Sequence, residues 1–157
     1  MSYTIPGGCY CGRIRYEITL DDPDKEARTS ICHCGNCKKF TGGNFGITSK
    51  IPRSSFQITQ GHDSVKVHEE GNGTGTILHR EFCKECGSGL LEYGNIVSGA
   101  SINAEYDQAN AGDFVYVFYG TLDHPTDLPP KGEFFTSRRD SWMPEIPGLF
   151  QKKKIKE

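Results

Sequence analysis

The chain has 157 residues, among them 19 glycines, 8 prolines and 7 cysteines, with a formal net charge of −2. That length fits one domain with a core that needs no disulfides, and the small net charge gives no reason to expect a nucleic-acid partner. No stretch approaches the roughly 20 consecutive apolar residues of a membrane-spanning helix, so no membrane is expected either.

The N-terminal stretch Met1–Gly8 lacks a charged start followed by an apolar core. The expectation is therefore a cytoplasmic chain with reduced thiols, in which clustered cysteines serve as metal ligands or catalytic groups. Arg13 to Leu20 alternates, with Ile14, Tyr16, Ile18 and Leu20 on one side and Arg13, Arg15, Glu17 and Thr19 on the other. Period two predicts a half-buried strand, and Asp21-Asp22-Pro23-Asp24 turns the chain into a polar loop. Asn44 to Ser49, Phe56 to Thr59 and Ser64 to His68 read as further short strands, punctuated by Pro52 and Gly61. After the glycine-rich turn Gly71–Gly75, strands are expected at Thr76 to Phe82, Leu90 to Tyr93, Ile96 to Ser101 and Phe114 to Leu122. Phe114 to Tyr119 is apolar on both faces and so predicts a central strand.

Beyond Leu122 the pattern is lost. Pro125, Pro129 and Pro130 predict a region kept out of sheet interiors, with Phe134, Phe135 and Trp142 pinning it back onto the core. The one helix expected is a single turn after Cys37, through Lys38, Lys39 and Phe40, stopped by Gly42-Gly43. The whole predicts a mainly β chain of short antiparallel strands. It forms a single domain over 1–157, with a core of about 5–150 and a basic tail at 151–157.

All seven cysteines fall into three groups: Cys9-Tyr10-Cys11, then Cys32-His33-Cys34-Gly35-Asn36-Cys37, then Cys83-Lys84-Glu85-Cys86 followed by Gly87. A pair two residues apart with a following glycine makes a turn that aims both sulfurs at one point. Zinc takes four ligands at tetrahedral angles. Cys83 and Cys86 supply two corners, and Cys9 and Cys11, just before a strand, make a natural second pair. These four would close a structural site that contributes folding free energy. Cys32, Cys34 and Cys37 leave a fourth corner open, the pattern of a catalytic zinc. Two readings compete for His33: a fourth ligand to that metal, or a residue pointing away from it that donates a hydrogen bond behind the ligands or packs at the surface. His62, His68, His79 and His124 are scattered and take the ordinary reading of surface or structural histidines.

The three cysteine groups resemble those of the glutathione-dependent formaldehyde-activating enzyme family, which includes the domain of centromere protein V. The likeness extends to Phe40-Thr41-Gly42-Gly43, Pro52-Arg53-Ser54-Ser55-Phe56, Ser137-Arg138-Arg139-Asp140-Ser141-Trp142 and Ile146-Pro147-Gly148-Leu149. The resemblance implies a zinc-stapled β-tent with two zincs per chain, a structural one on Cys9, Cys11, Cys83 and Cys86 and a catalytic one on Cys32, Cys34 and Cys37. It also implies a carbon–sulfur lyase, S-(hydroxymethyl)glutathione synthase-like. Such an enzyme condenses glutathione, or another thiol, with formaldehyde or a related small electrophile, or cleaves such an adduct. A thiol loses its proton on coordination, so a three-thiolate site suits an incoming thiol poised to attack a carbonyl carbon. Arg13, Arg15, Lys38, Lys39 and Arg53 read as solubilising charges rather than contacts to the carboxylates of a tripeptide thiol. Asn36 and Thr41 are better placed for polar contacts. Two other readings stand beside this one: a zinc-stabilised non-enzymatic binding module, and a family enzyme acting on a different small molecule. A methionine sulfoxide reductase would need an unclustered reactive cysteine, which the chain lacks. The sequence is compatible with a homo-oligomer and does not specify one.

Overall fold

The computed structural model describes residues 1–73, 75–95 and 112–154. In chain order the elements are β1 (Tyr3–Gly8), β2 (Arg15–Leu20), the single-turn helix α1 (Pro23–Glu26), β3 (Arg28–Cys32), helix α2 (Gly35–Thr41), β4 (Gly46–Pro52) and β5 (Phe56–Gln60). They continue with β6 (Val65–Gly71), β7 (Ile77–Cys83), β8 (Gly89–Asn95), β9 (Phe114–Phe118), β10 (Pro130–Phe134) and β11 (Phe150–Gln151). The expected strand at Ile96 to Ser101 lies outside the described residues.

A small sheet runs β1-β2-β5 and a large one runs β11-β10-β3-β4-β9-β8-β7-β6. The core lies between them. Ile5, Tyr16, Ile18, Leu20, Phe56 and Ile58 of the small sheet meet Ile51, Leu91, Tyr93, Val115 and Val117 of the large one. The alternation in β2 is real: Tyr16, Ile18 and Leu20 are buried, whereas Glu17 and Thr19 are exposed. The strand starts two residues later than expected. Cys9 N–H donates to Ile14 O at 3.1 Å and Ile14 N–H donates to the Cys9 sulfur at 3.2 Å, so residues 13 and 14 belong to the cysteine turn. β9 is interior to its sheet, flanked by β4 and β8, as its apolar run predicts. It ends at Phe118, where a 3-10 turn over Tyr119–Thr121 takes over.

The chain is mainly β, and its strand pairs are antiparallel except where β10 pairs with β3 and β11. That exception corrects the all-antiparallel expectation. It also corrects the reading of the proline-rich region, because Pro130 opens β10, a strand that sits between two neighbours. Proline is tolerated there because it is the first strand residue, and the ladder to β3 shifts register between Pro130 and Gly132. Trp142 does not pin the C-terminal segment, since it is 72% exposed. Phe134 meets Phe150 edge-on at 5.6 Å instead. The polar loop after Leu20 contains α1, whose first turn begins with Pro23.

Candidate metal centres

The β1–β2 turn carries Cys9 and Cys11, while Cys83 ends β7 and Cys86 lies in the turn to β8. Their sulfurs all lie within 4.8 Å of one another. Cys9 Sγ is 3.5 Å from Cys11 Sγ, which is 3.8 Å from Cys83 Sγ. A tetrahedral zinc with Zn–S bonds of about 2.3 Å sets its sulfurs about 3.8 Å apart, so these four fit it. The charges agree. Burial pushes the Cys86 thiol up, but the N–H groups of Ser88 and Cys11 and the neighbouring sulfurs bring it down to about 6. The Arg13 N–H favours a Cys11 thiolate, yet the sulfurs of Cys9, Cys86 and Cys83 carry its thiol up to about 11. Four sulfurs this close repel one another once ionised, and a shared cation removes that penalty.

Cys32 ends β3, Cys34 caps α2 by accepting the Cys37 N–H at 3.3 Å, and Cys37 lies in the first helical turn. These three sulfurs also lie within 4.8 Å of one another. The helix begins before Cys37 rather than after it, because Cys34 serves as its cap, and it ends at Gly42. Gly46 of β4 lets the helix approach: a Cβ there would lie 2.9 Å from Cys37 Cβ and 3.3 Å from its sulfur. Hydrogen bonds from Cys32 and Cys37 and the N–H groups of Cys37 and Asn36 hold the Cys34 thiol down at about 2, despite burial. The Cys34 sulfur in turn carries the Cys32 thiol up to about 11, and Cys32 and Cys34 raise the Cys37 thiol too. Three sulfurs this close oppose one another's ionisation, and a shared cation removes that opposition.

His33, between two of these cysteines, is fully buried and turned to β10, where Nε2 lies 2.6 Å from Glu133 Oε2. It is not a surface residue, and its nitrogens do not join the three-sulfur group. His79 is buried against Tyr93, ring centroids 5.0 Å apart, with Nδ1 3.2 Å from Glu69. Asn36 donates to Asn72 O at 3.2 Å, tying the β6–β7 hairpin tip to α2, and Thr41 spends its hydroxyl on Cys37 O and Phe45 O. Arg15 pairs with Asp123, Lys38 with Asp140, and Arg53 donates to Phe56 O.

Two residues that the sequence did not single out flank α2. Arg80 of β7 donates Nε to Glu92 Oε2 of β8 at 3.0 Å, with side chains 9% and 14% exposed. The guanidinium lies 4.3 Å over Phe40, which stacks on Phe118 at 5.7 Å. Burial raises the Glu92 carboxyl, Arg80 opposes that, and the negative charge of Cys34 adds to the rise. The available signal was opposite charge on facing strand positions, which becomes visible only when the Arg80–Glu92 register is known.

The fold and these clusters define a mainly β protein with two cysteine groups able to hold metal ions. The family described as glutathione-dependent formaldehyde-activating enzyme matches residues 4–138, and the chain belongs to it. A crystal structure of a Rhodobacter sphaeroides protein, a structural-genomics target, superposes with a TM-score of 0.53 at 20% identity, over 82% of this chain and 98% of that one. That likeness is one of fold. Among curated proteins, none matches the chain. No described helix is long and apolar enough to cross a membrane.

Proposed function

We propose that the chain is a zinc-dependent carbon–sulfur lyase that joins glutathione, or another thiol, to formaldehyde or a related small electrophile, or cleaves such an adduct. The observation that carries this reading is the unequal make-up of the two clusters: three sulfurs, from Cys32, Cys34 and Cys37, against four in the other, with no nitrogen of His33 converging on the three. Thiolates suit zinc, and three protein ligands leave one position for a substrate. The roles are structural zinc on Cys9, Cys11, Cys83 and Cys86, and catalytic zinc on Cys32, Cys34 and Cys37, two per chain. Bound zinc would supply a place where an incoming thiol is kept deprotonated near neutral pH. The partners are a small thiol and an aldehyde, in one cytoplasmic domain over 1–157.

The addition is balanced within its two reactants. The thiol sulfur forms a bond to the carbonyl carbon, the C=O π pair moves to oxygen, and the thiol proton ends on that oxygen. Phe40 of α2 stacks on Phe118 of β9 beside this region. Arg80, fixed by Glu92 and lying over Phe40 of α2, takes the role of donor to the oxygen as it gains charge. Arg80→Met is expected to lower kcat by about 10²-fold while both metals stay bound. An unchanged kcat removes Arg80 from the reaction.

The test is the rate of glutathione–formaldehyde exchange above the uncatalysed background, followed by NMR. Cys34→Ser is expected to abolish it while the fold and the other metal survive, and full activity in that variant contradicts the assignment. Turnover of other thiol adducts with none of glutathione and formaldehyde points to a family enzyme with a different substrate.

A further inference from the structure

Glu133 is fully buried in β10, and its carboxylate collects donors from separate parts of the chain. Oε2 faces His33 Nε2 at 2.6 Å and accepts from Arg139 Nε and Nη2 at 3.3 and 3.2 Å, while Oε1 accepts from Ile146 N–H at 3.3 Å and Gln151 Nε2 at 3.0 Å. The main chain of His33 is held as well, donating to Phe134 O at 3.1 Å. The peptide between Cys32 and Cys34 is thus fixed to β10 by backbone and side chain together. On the other flank, Lys38 of α2 donates to Arg138 O at 2.8 Å and to Asp140 Oδ1 at 2.6 Å. Arg139, Asp140, Ile146 and Gln151 all lie beyond the span matched by the family, which ends at 138.

We propose that the segment Arg139–Gln151 is a strap that positions the three-cysteine group, acting through Glu133 and His33 on one side and Lys38 on the other, and so sets how tightly that group holds its metal. This rests on reading Cys32, Cys34 and Cys37 as a metal site. A site with three protein ligands has little to spare when one of them swings, and loss of such supporting contacts typically costs about 10–100-fold in metal affinity. The four-sulfur cluster is built from the β1–β2 and β7–β8 turns and shares none of these contacts, so it serves as an internal control.

The experiment follows zinc release from the full-length, zinc-loaded protein to a chromogenic chelator. Cys34→Ser assigns the phase belonging to the second cluster. Arg139→Met, a partly exposed position less disruptive than the buried carboxylate, is expected to speed that phase about 10–100-fold and leave the other unchanged. Arg139→Lys is expected to restore part of the difference, and Glu133→Gln to speed the same phase further. Equal loosening of both zincs means general destabilisation and overturns the strap, as does a second phase indifferent to Arg139→Met. A wild type with a single zinc removes the metal site itself, and the strap with it. Two zincs with indifferent variants remove the strap alone.

Discussion

Gly7 shows how one residue holds two layers together. A Cβ there would lie 2.3 Å from the Tyr16 ring carbon Cζ and 2.6 Å from Thr121 O. Tyr16 is buried at the centre of the small sheet and its hydroxyl is 2.7 Å from the Thr121 hydroxyl. Neither neighbour can yield cheaply, so Gly7→Ala is expected to cost about 1–3 kcal/mol in denaturant unfolding. A variant as stable as wild type contradicts this packing. At this scale the cysteines were legible in sequence, because the spacing within each group is local and fixes which sulfurs can converge. His33 was legible only in part. Its place between two clustered cysteines says that it points away from them, but its burial depends on Glu133, 100 positions further on. Arg80 and Glu92 were not legible, because each is an ordinary outward charge until strands β7 and β8 are laid side by side.

Strand β10 joins the three-cysteine loop to the C-terminal segment, and its buried carboxylate makes that junction pH-dependent. Burial pushes the Glu133 carboxyl up, but the bonds from Gln151, His33 and Ile146 and the charge of Arg139 hold it below the ordinary 4.5. A carboxyl lowered by folding stabilises the native state above its unfolded value and loses that contribution as pH falls through the folded value. The stability advantage of wild type over Glu133→Gln is therefore expected to be full at neutral pH and to shrink below about 4.5, measured by urea unfolding across that range. A constant difference contradicts an ionised Glu133. Strands with alternation, such as β2, or with a long apolar run, such as β9, were visible in sequence. β10 was hidden because Pro129 and Pro130 mark loops by local rule, and only the parallel pairing with β3 shows that Pro130 stands at a strand's first residue.

Over the whole molecule the proposed function divides the labour between the two cysteine groups. Cys9 and Cys11 leave the small sheet's first turn and meet Cys83 and Cys86 from the large sheet, so a metal held there would staple the two layers. Cys86→Ser is expected to lower the melting temperature and to loosen both sheets, whereas Cys34→Ser leaves the melting temperature near wild type. Equal melting losses in the two variants contradict that division. The most direct test is zinc content per chain, with and without glutathione, on protein purified without chelator. An open second site predicts two zincs, with the one on Cys32, Cys34 and Cys37 perturbed or released by the thiol and the other indifferent to it. Two equally tight zincs that ignore thiols contradict it and make the protein a binding module with two structural metals.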